Sequence, residues 1–488
     1  MNDNDRKLYV DYLNTNRGLI VAPAGYGKTH AISEMVPLAT GKVLILTHTH
    51  AGVASIKQKL RKQKVESNKF NVETISGYAQ KYVIAFTYSD IVPEQSNSKE
   101  YYPFIHKTFK TLLERVYIQA IISQTYSHII IDEYQDCNED QHTAILSLSS
   151  FISVHILGDE MQGIFNFNNQ KLVDWEVVQQ HYSLVKEFDT PWRWKQENAN
   201  EKLGKQIYSI REKLLANQEI NLNEYSEILF KNFTKSDRAN FYRLVNDLLE
   251  SEKNLLIIDP ISERKTSRLA VIKLFSNRIY MLESIDDVDF YMMSASIDDL
   301  EEKFEYSKLL DFVCGIKNKK NKRVEPLMTN VGTIIGISRP KSSRNPKIQK
   351  ILDCLSALSH KFTLSDLRDL LVMLDNLNGV NVARRELFDS LLKAMLLSIE
   401  QKQKVEKSME VCRNKIRRFG KNLYGHTIGT TLLTKGLEID AVLILDAHEF
   451  CNRNMKNFYV AISRASKKLV IMSATNTLKF SNSDKLTK

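Results

Sequence analysis

The sequence predicts an α/β fold built on parallel sheets, and three observations carry the prediction. Short apolar, β-rich runs alternate with helix-like stretches; each run closes on small or acidic residues; and the first leads into a glycine-rich segment that opens a helix. The runs lie at Gly18 to Ala22, Val43 to Thr47, His128 to Asp132 and Val154 to Gly158. Uninterrupted apolar character over four to six residues is what strands buried on both faces require. A second alternating region carries Asn254 to Ile258 and, much later, Ala441 to Asp446 and Lys468 to Met472. Two stretches of one sheet are therefore expected on either side of an insertion.

That insertion, roughly 283–420, reads as helical, with an acidic segment Asp286 to Glu305, a basic loop Lys317 to Arg323 and amphipathic segments from Lys347 to Arg418. A shorter insert at about 79–126 is rich in aromatics, with a polar loop Pro93 to Glu100 and a helix expected over Phe104 to Ser123. The expected domains are 1–185, then 186–282 joined with 421–488, then the helical insertion 283–420. The length of 488 residues is in keeping with about three domains.

The chain holds 68 Lys and Arg against 58 Asp and Glu, a net charge of +10. This favours a polyanionic partner such as nucleic acid, with a merely basic soluble protein as the competing reading. Five scattered cysteines, an odd number without a C-x-x-C pair, suggest neither a disulfide framework nor a cysteine metal site and fit a reducing compartment. Neither an N-terminal apolar region nor a run of 18 apolar residues occurs, so a cytoplasmic protein without membrane contact is expected.

The segment Val21-Ala-Pro-Ala-Gly-Tyr-Gly-Lys-Thr29 is built to hold the phosphates of a nucleoside triphosphate. Backbone N–H groups must converge on an anion, and side chains at Gly25 or Gly27 would obstruct it. Ala24, Gly25 and Gly27 form the cradle, Lys28 neutralises the β and γ phosphates, and Thr29 offers its hydroxyl to Mg²⁺. In His128-Ile-Ile-Ile-Asp-Glu-Tyr-Gln-Asp136, Asp132 ends an apolar strand where it can reach Mg²⁺, and Glu133 is placed as a general base. An Asp-Glu pair after a strand is often only a surface turn; the phosphate loop about 100 residues earlier weighs against that.

The order of these and later motifs resembles the superfamily 1 helicases of the UvrD/Rep type. Asp132-Glu-Tyr-Gln-Asp136 is close to the family's Asp-Glu-x-Gln-Asp, and Leu157-Gly-Asp-Glu-Met-Gln-Gly-Ile-Phe-Asn-Phe167 is similar to the block that couples the γ-phosphate to DNA. The resemblance implies two RecA-like parallel-sheet motor domains with helical insertions. It also implies that Gln162 senses phosphate, that Arg193 is supplied from the start of the second motor domain, that Glu438 meets the ribose and that Arg464 reaches the γ-phosphate. For DNA, it implies backbone contacts by Thr47, Thr49, Thr74 and Thr430 and base stacking by Phe165 and Phe167. Spaced by two, the phenylalanines would share one face of a strand, so a core role competes. His48 and His50 have no acidic or cysteine neighbour in sequence, which weighs against a metal pair. ATP with Mg²⁺ is the implied cofactor, single-stranded DNA or a tailed duplex the partner, and 3′ to 5′ movement the polarity.

Several positions depart from the family. No glutamine precedes the phosphate loop in the helix-like segment Asp5 to Leu13; Asn168 and Leu432 stand where arginine and histidine are usual; Tyr26 replaces a small residue and Pro23 lacks an N–H. The short insert and the lack of a long tail resemble the helicase-like subunit of two-gene anti-phage systems such as Gabija, with a separate nuclease as partner. A nucleotide-gated sensing or assembly subunit is therefore the alternative to a processive helicase. The run Lys317 to Arg323 is read as a solvated loop before a duplex grip.

Overall fold

A computed structural model of the chain describes residues 3–94, 97–164, 171–261, 265–275, 278–282, 289–314, 327–329, 331, 343–382, 384–419, 425–452 and 454–480. The chain divides into two compact units, Met1–Thr234 with Arg418–Gly420 and Thr434–Lys488, and Lys235–Arg417 with Lys421–Leu433.

The first unit is built on six parallel strands, β1 (Arg17–Val21), β2 (Val43–Thr47), β3 (Phe70–Thr74), β4 (His128–Ile131), β5 (Ser153–Gly158) and β6 (Ser183–Glu187), in the order β3-β2-β4-β5-β1-β6. Register pairs such as Leu19↔Ile156, Ile129↔Val154 and Ile45↔Ile130 align the apolar runs. Alternation sends Leu19, Val21, Leu44, Leu46, Ile129, Ile131, Val154 and Ile156 to one core and Ile20, Val43, Ile45, Ile130 and Leu157 to another. Both faces are covered at β1, β2, β4 and β5, which explains the apolar runs of these four strands.

Helices α1 (Asp3–Leu13), α2 (Lys28–Met35), α3 (His50–Lys62), α4 (Ile75–Phe86), α5 (Ser98–Leu112), α6 (Val116–Thr125), α7 (Glu139–Leu148), α8 (Trp175–His181) and α9 (Glu201–Leu215) complete this part. The single helix expected over Phe104 to Ser123 is two. The Leu113 amide closes on Phe109 and the Arg115 amide on Leu112, while the Gln119 side chain donates to the Leu113 carbonyl. The expected polar loop ends earlier than Glu100, because α5 begins at Ser98.

A second set of parallel strands is divided between the units. With the first unit go β7 (Ile220–Asn221), β8 (Ile228–Lys231) and further strands beyond the insertion; the second unit holds β9 (Leu255–Ile258), β10 (Tyr280–Met281), the short antiparallel pair β11 (Met328–Thr329) and β12 (Asn381–Val382), and β13 (His426–Gly429). In the second unit β13 pairs in parallel with β9 and with β10. In the first, β14 (Ile439–Ile444) pairs in parallel with β15 (Ala465–Met472), β15 with β8, and β16 (Thr477–Leu478) antiparallel with β7. Two parallel sheets with helical insertions are thus present, as the sequence predicts.

The insertion has a core of its own in the second unit. Phe290, Ile297, Leu355, Leu367, Phe388, Leu391 and Met409 are buried together from the helices Asp289–Glu302, Pro346–His360, Leu364–Asp375, Arg385–Gln401 and Val405–Phe419. Asp298 accepts from the amides of Val405 (2.7 Å) and Glu406 (3.1 Å), so one helix caps the start of another. Among the described residues, no helix is long and apolar enough to cross a membrane.

Candidate functional site

The glycine-rich segment expected to cradle phosphate connects β1 to α2. Gly25 (φ 78°) and Gly27 (φ 90°) are left-handed, a conformation open to glycine and strained for other residues. Lys28 opens α2 and is buried; its Nζ donates to the Ala22 carbonyl (3.0 Å) and stands 3.7 Å from the Glu133 carboxylate. Thr29 follows, half-buried, in the first turn. The Ala24 amide donates to the Tyr459 hydroxyl at 3.1 Å.

The acidic turn follows β4. The Asp132 amide donates to the Leu46 carbonyl (2.9 Å), and its carboxylate accepts from the Glu133 amide (3.0 Å). Glu133 is left-handed (φ 57°, ψ 43°), a strained backbone state for a residue other than glycine. Burial, and then the neighbouring Glu133 charge, push the Asp132 carboxyl up to about 7. Burial also works to raise Glu133, but Lys28, Lys435 and a hydrogen bond from Gln135 outweigh it and hold Glu133 below the usual carboxylate range. The two adjacent carboxylates are thus driven apart in acidity.

Gln135 ties this turn to the end of β5. Its amide group donates to Glu133 and accepts from the Asp159 amide (3.0 Å). Gly158 permits the approach, because a Cβ there would lie 2.8 Å from the Gln135 side-chain oxygen. Asp159 accepts from the Gln162 side chain (2.9 Å) and from the Arg211 guanidinium (3.1 and 3.2 Å), and Arg211 also donates to Glu187 (3.0 Å) and Glu212 (2.8 Å). Lys435 binds both carboxylate oxygens of Asp136 and the Gln162 carbonyl.

Arg193 sits in the 3₁₀ turn Trp192–Lys195. Its amide donates to the Gly25 carbonyl (3.0 Å), and its guanidinium to Glu438 (2.9 Å) and to the Ser463 carbonyl (2.6 Å). Arg464 is buried, and its guanidinium donates to the carbonyls of Val460 (2.8 Å) and Leu437 (3.1 Å) and to the Ser463 hydroxyl (2.7 Å). Burial and then the Arg193 charge lower its pKa, opposed by Tyr459, Glu133 and Glu438. Lys28, Asp132, Glu133, Gln162, Arg193, Glu438 and Arg464 all belong to the first unit.

The residues expected to contact nucleic acid are less gathered. The hydroxyls of Thr49 and Thr74 cap α3 and α4, accepting from the amides of Gly52 and Gly77 at 3.0 Å. Thr47 is buried at the end of β2. Thr430, buried in the second unit, accepts from the Leu433 amide at 3.4 Å. Phe165 and Phe167, with Asn168, lie outside the described residues, as do Lys317 to Arg323. The reading of His48 changes in one respect: Cys137, distant in sequence, comes within 3.6 Å of its ring.

Sequence reasoning assigned no role to Arg211, Asp159 or Tyr459. No local signal marked the first, since its partner Asp159 lies 52 residues away in the chain. Tyr459 opens the segment Tyr459-Val-Ala-Ile-Ser-Arg-Ala465 that resembles the family's final block, in which a role was assigned to Arg464 alone.

Triphosphate and Mg²⁺ fit these groups by their chemistry. The first amides of α2 are donors without intrahelical acceptors, Lys28 is a buried ammonium beside them, and Asp132 is a buried carboxyl whose ionised form a divalent cation would stabilise.

Comparison with known proteins adds a family match. A family described as the UvrD/REP helicase N-terminal domain matches residues 86–182, which include the acidic turn and the Asp159–Gln162 loop but not the phosphate loop. An ATP-dependent helicase/nuclease subunit from Lactococcus lactis subsp. lactis (strain IL1403) is 30% identical over 106 residues, 22% of this chain and 9% of that protein. The protein of the same description from Streptococcus pyogenes serotype M4 (strain MGAS10750) is 28% identical over 172 residues, 31% of this chain and 14% of that protein. The matches thus span a small part of both relatives. Among solved structures, the Arterivirus nonstructural protein 10 helicase in complex with DNA aligns over 99% of this chain and 64% of that one, with a TM-score of 0.33 and 9% identity. With the acidic turn at its centre, the matched segment is similar to the UvrD/REP helicase N-terminal domain.

Proposed function

We propose that the chain hydrolyses ATP and couples hydrolysis to movement along single-stranded DNA, 3′ to 5′, with unwinding of tailed duplexes. The observation that carries this reading is the pairing of Lys28 and Glu133 at 3.7 Å beside buried Asp132, at the ends of strands β1 and β4. Thr29 and Asp132 would hold Mg²⁺, which supplies positive charge against the β and γ phosphate oxygens. Ala24, Gly25 and Gly27 shape the cradle around the phosphates. Glu133, held ionised by Lys28 and Lys435, takes the proton of the attacking water.

Arg193 and Arg464 are the guanidinium donors for charge developing on the γ-phosphate, and Glu438, now paired with Arg193, is the ribose contact. Freeing Arg193 from Glu438 would then accompany nucleotide binding. Gln162 links the phosphate end to DNA, for which Thr47, Thr49, Thr74, Thr430, Phe165 and Phe167 are the proposed contacts; stacking aromatics hold bases without sequence preference. Lys28→Ala and Glu133→Gln should each abolish hydrolysis while single-strand binding persists. Full ATPase activity in both variants would overturn the reading.

A second reading is favoured by the relatives, both described as helicase/nuclease subunits. In it the chain is a nucleotide-gated subunit that controls a separate nuclease, the arrangement expected from the resemblance to Gabija-type systems. Strand displacement on a 3′-tailed duplex separates the two, because the gating subunit turns over ATP without displacing the strand.

A further inference from the structure

Tyr26 lies between the two left-handed glycines of the phosphate loop, where a small residue is usual, and its side chain is buried at 3% exposure. It is covered by one face of α9. Gly204, Tyr208 and Arg211, spaced four and three apart, lie in line on that helix. At Gly204 the helix backbone meets Trp194, whose Cγ would be 2.7 Å from any Cβ placed there. One turn on, the Tyr208 ring stacks on Tyr26, with centroids 5.5 Å apart and planes at 29°, while Trp194 meets Tyr26 edge-on at 6.4 Å. A further turn on, Arg211 holds Asp159, which holds the Gln162 side chain.

We infer that Tyr26 is a positioning residue through which α9 sets the geometry of the phosphate loop. The inference rests on the reading that this loop binds a nucleoside triphosphate. A loop with two glycines is conformationally loose, and its amides converge on an anion only if that freedom is already restricted. Tyr26 supplies the restriction from the middle of the loop by stacking on a helix rather than by touching phosphate. Because α9 also carries Arg211, the same rigid element fixes the loop at Tyr26 and the Asp159–Gln162 loop together.

The test uses the full chain with Tyr26→Phe, Tyr26→Ala, Tyr208→Ala and the Tyr26→Ala/Tyr208→Ala double variant. Two measurements are made: the affinity for a fluorescent ATP analogue with Mg²⁺, and amide hydrogen exchange over 22–29. Tyr26→Phe should behave as wild type, because the ring rather than the hydroxyl makes the stack. Tyr26→Ala and Tyr208→Ala should each weaken binding about three- to tenfold, the size of one aromatic pair. KM should rise correspondingly, kcat should change by less than about twofold, and exchange over the loop should quicken in both. The double variant should be no weaker than the worse single one, as expected for two halves of one contact.

Additive losses, or a Tyr26→Ala protein with wild-type affinity and exchange, would overturn the positioning role. Should Tyr26→Ala fail to fold, Tyr208→Ala with unchanged loop exchange overturns it equally. Wild-type protein that binds no nucleotide overturns the triphosphate reading instead, and the exchange data then decide whether the stack still orders the loop.

Discussion

Lys435 and Asp136 form a buried ion pair, with the ammonium 2.5 and 2.6 Å from the two carboxylate oxygens and 2.6 Å from the Gln162 carbonyl. Burial still raises the Asp136 carboxyl to about 7 against the pull of Lys435, so desolvation is the larger effect. Lys435→Met should therefore destabilise the first unit by about 3–5 kcal/mol, and Lys435→Met/Asp136→Leu should recover most of the loss. Calorimetric unfolding of the two proteins is the check; a double variant as unstable as the single one would contradict the account.

Gly25→Ala should damage the phosphate loop twice over. The left-handed φ costs an L-residue about 1–2 kcal/mol, and the new Cβ would lie 2.8 Å from the Arg193 Cβ. Both nucleotide affinity and melting temperature are expected to fall. Gly436→Ala has a positive φ but open space around it, so thermal unfolding should show a smaller loss there.

Thr74→Ala removes the cap of α4 and should lower stability by about 1 kcal/mol, which Thr74→Ser restores. The two variants separate a capping hydroxyl from one that also meets a DNA phosphate. Weakened single-strand affinity in Thr74→Ala beyond what unfolding explains would support the second role; denaturation and filter-binding measurements together decide it.

Acid should loosen the β5 region through His155. This ring is fully buried beneath Tyr12 and beside His128, and burial, then His128, lower its pKa from 6.5 to about 3. The unfolded chain takes up the proton below about pH 6.5 while the folded chain does not, so stability is present above that pH and is lost as pH falls toward 3. At pH 5.5 the loss from this group is about 1.4 kcal/mol. His155→Leu should flatten the slope of stability against pH between about 6.5 and 4 by about 1.4 kcal/mol per unit. Equal slopes for variant and wild type would refute it.

The strands that carry the phosphate loop and the acidic turn were legible because burial on both faces leaves an unbroken apolar signature, as in Val43–Thr47 and His128–Ile131. Strand β6 was not, since Ser183–Glu187 lies at the sheet edge with polar, exposed residues, and β3 alternates in Phe70–Thr74 where no apolar run accumulates. Lys28, Glu133 and Arg193 were singled out through local motifs. Arg211 and Lys435 act through charges brought together over long separations, 52 residues to Asp159 and 299 to Asp136, and no local pattern records such a pairing. The caps at Thr49 and Thr74 show the reverse: the residues were singled out, but an N-cap and a phosphate contact call for the same hydroxyl.

The hydrogen bond from the Ala24 amide to the Tyr459 hydroxyl joins residues 435 apart in the chain. On a ribosome adding about 5–20 residues per second, the loop would wait roughly 20–90 s for that partner. The first unit therefore gains this contact only once nearly all of the chain has been made, and truncation before Tyr459 would remove it.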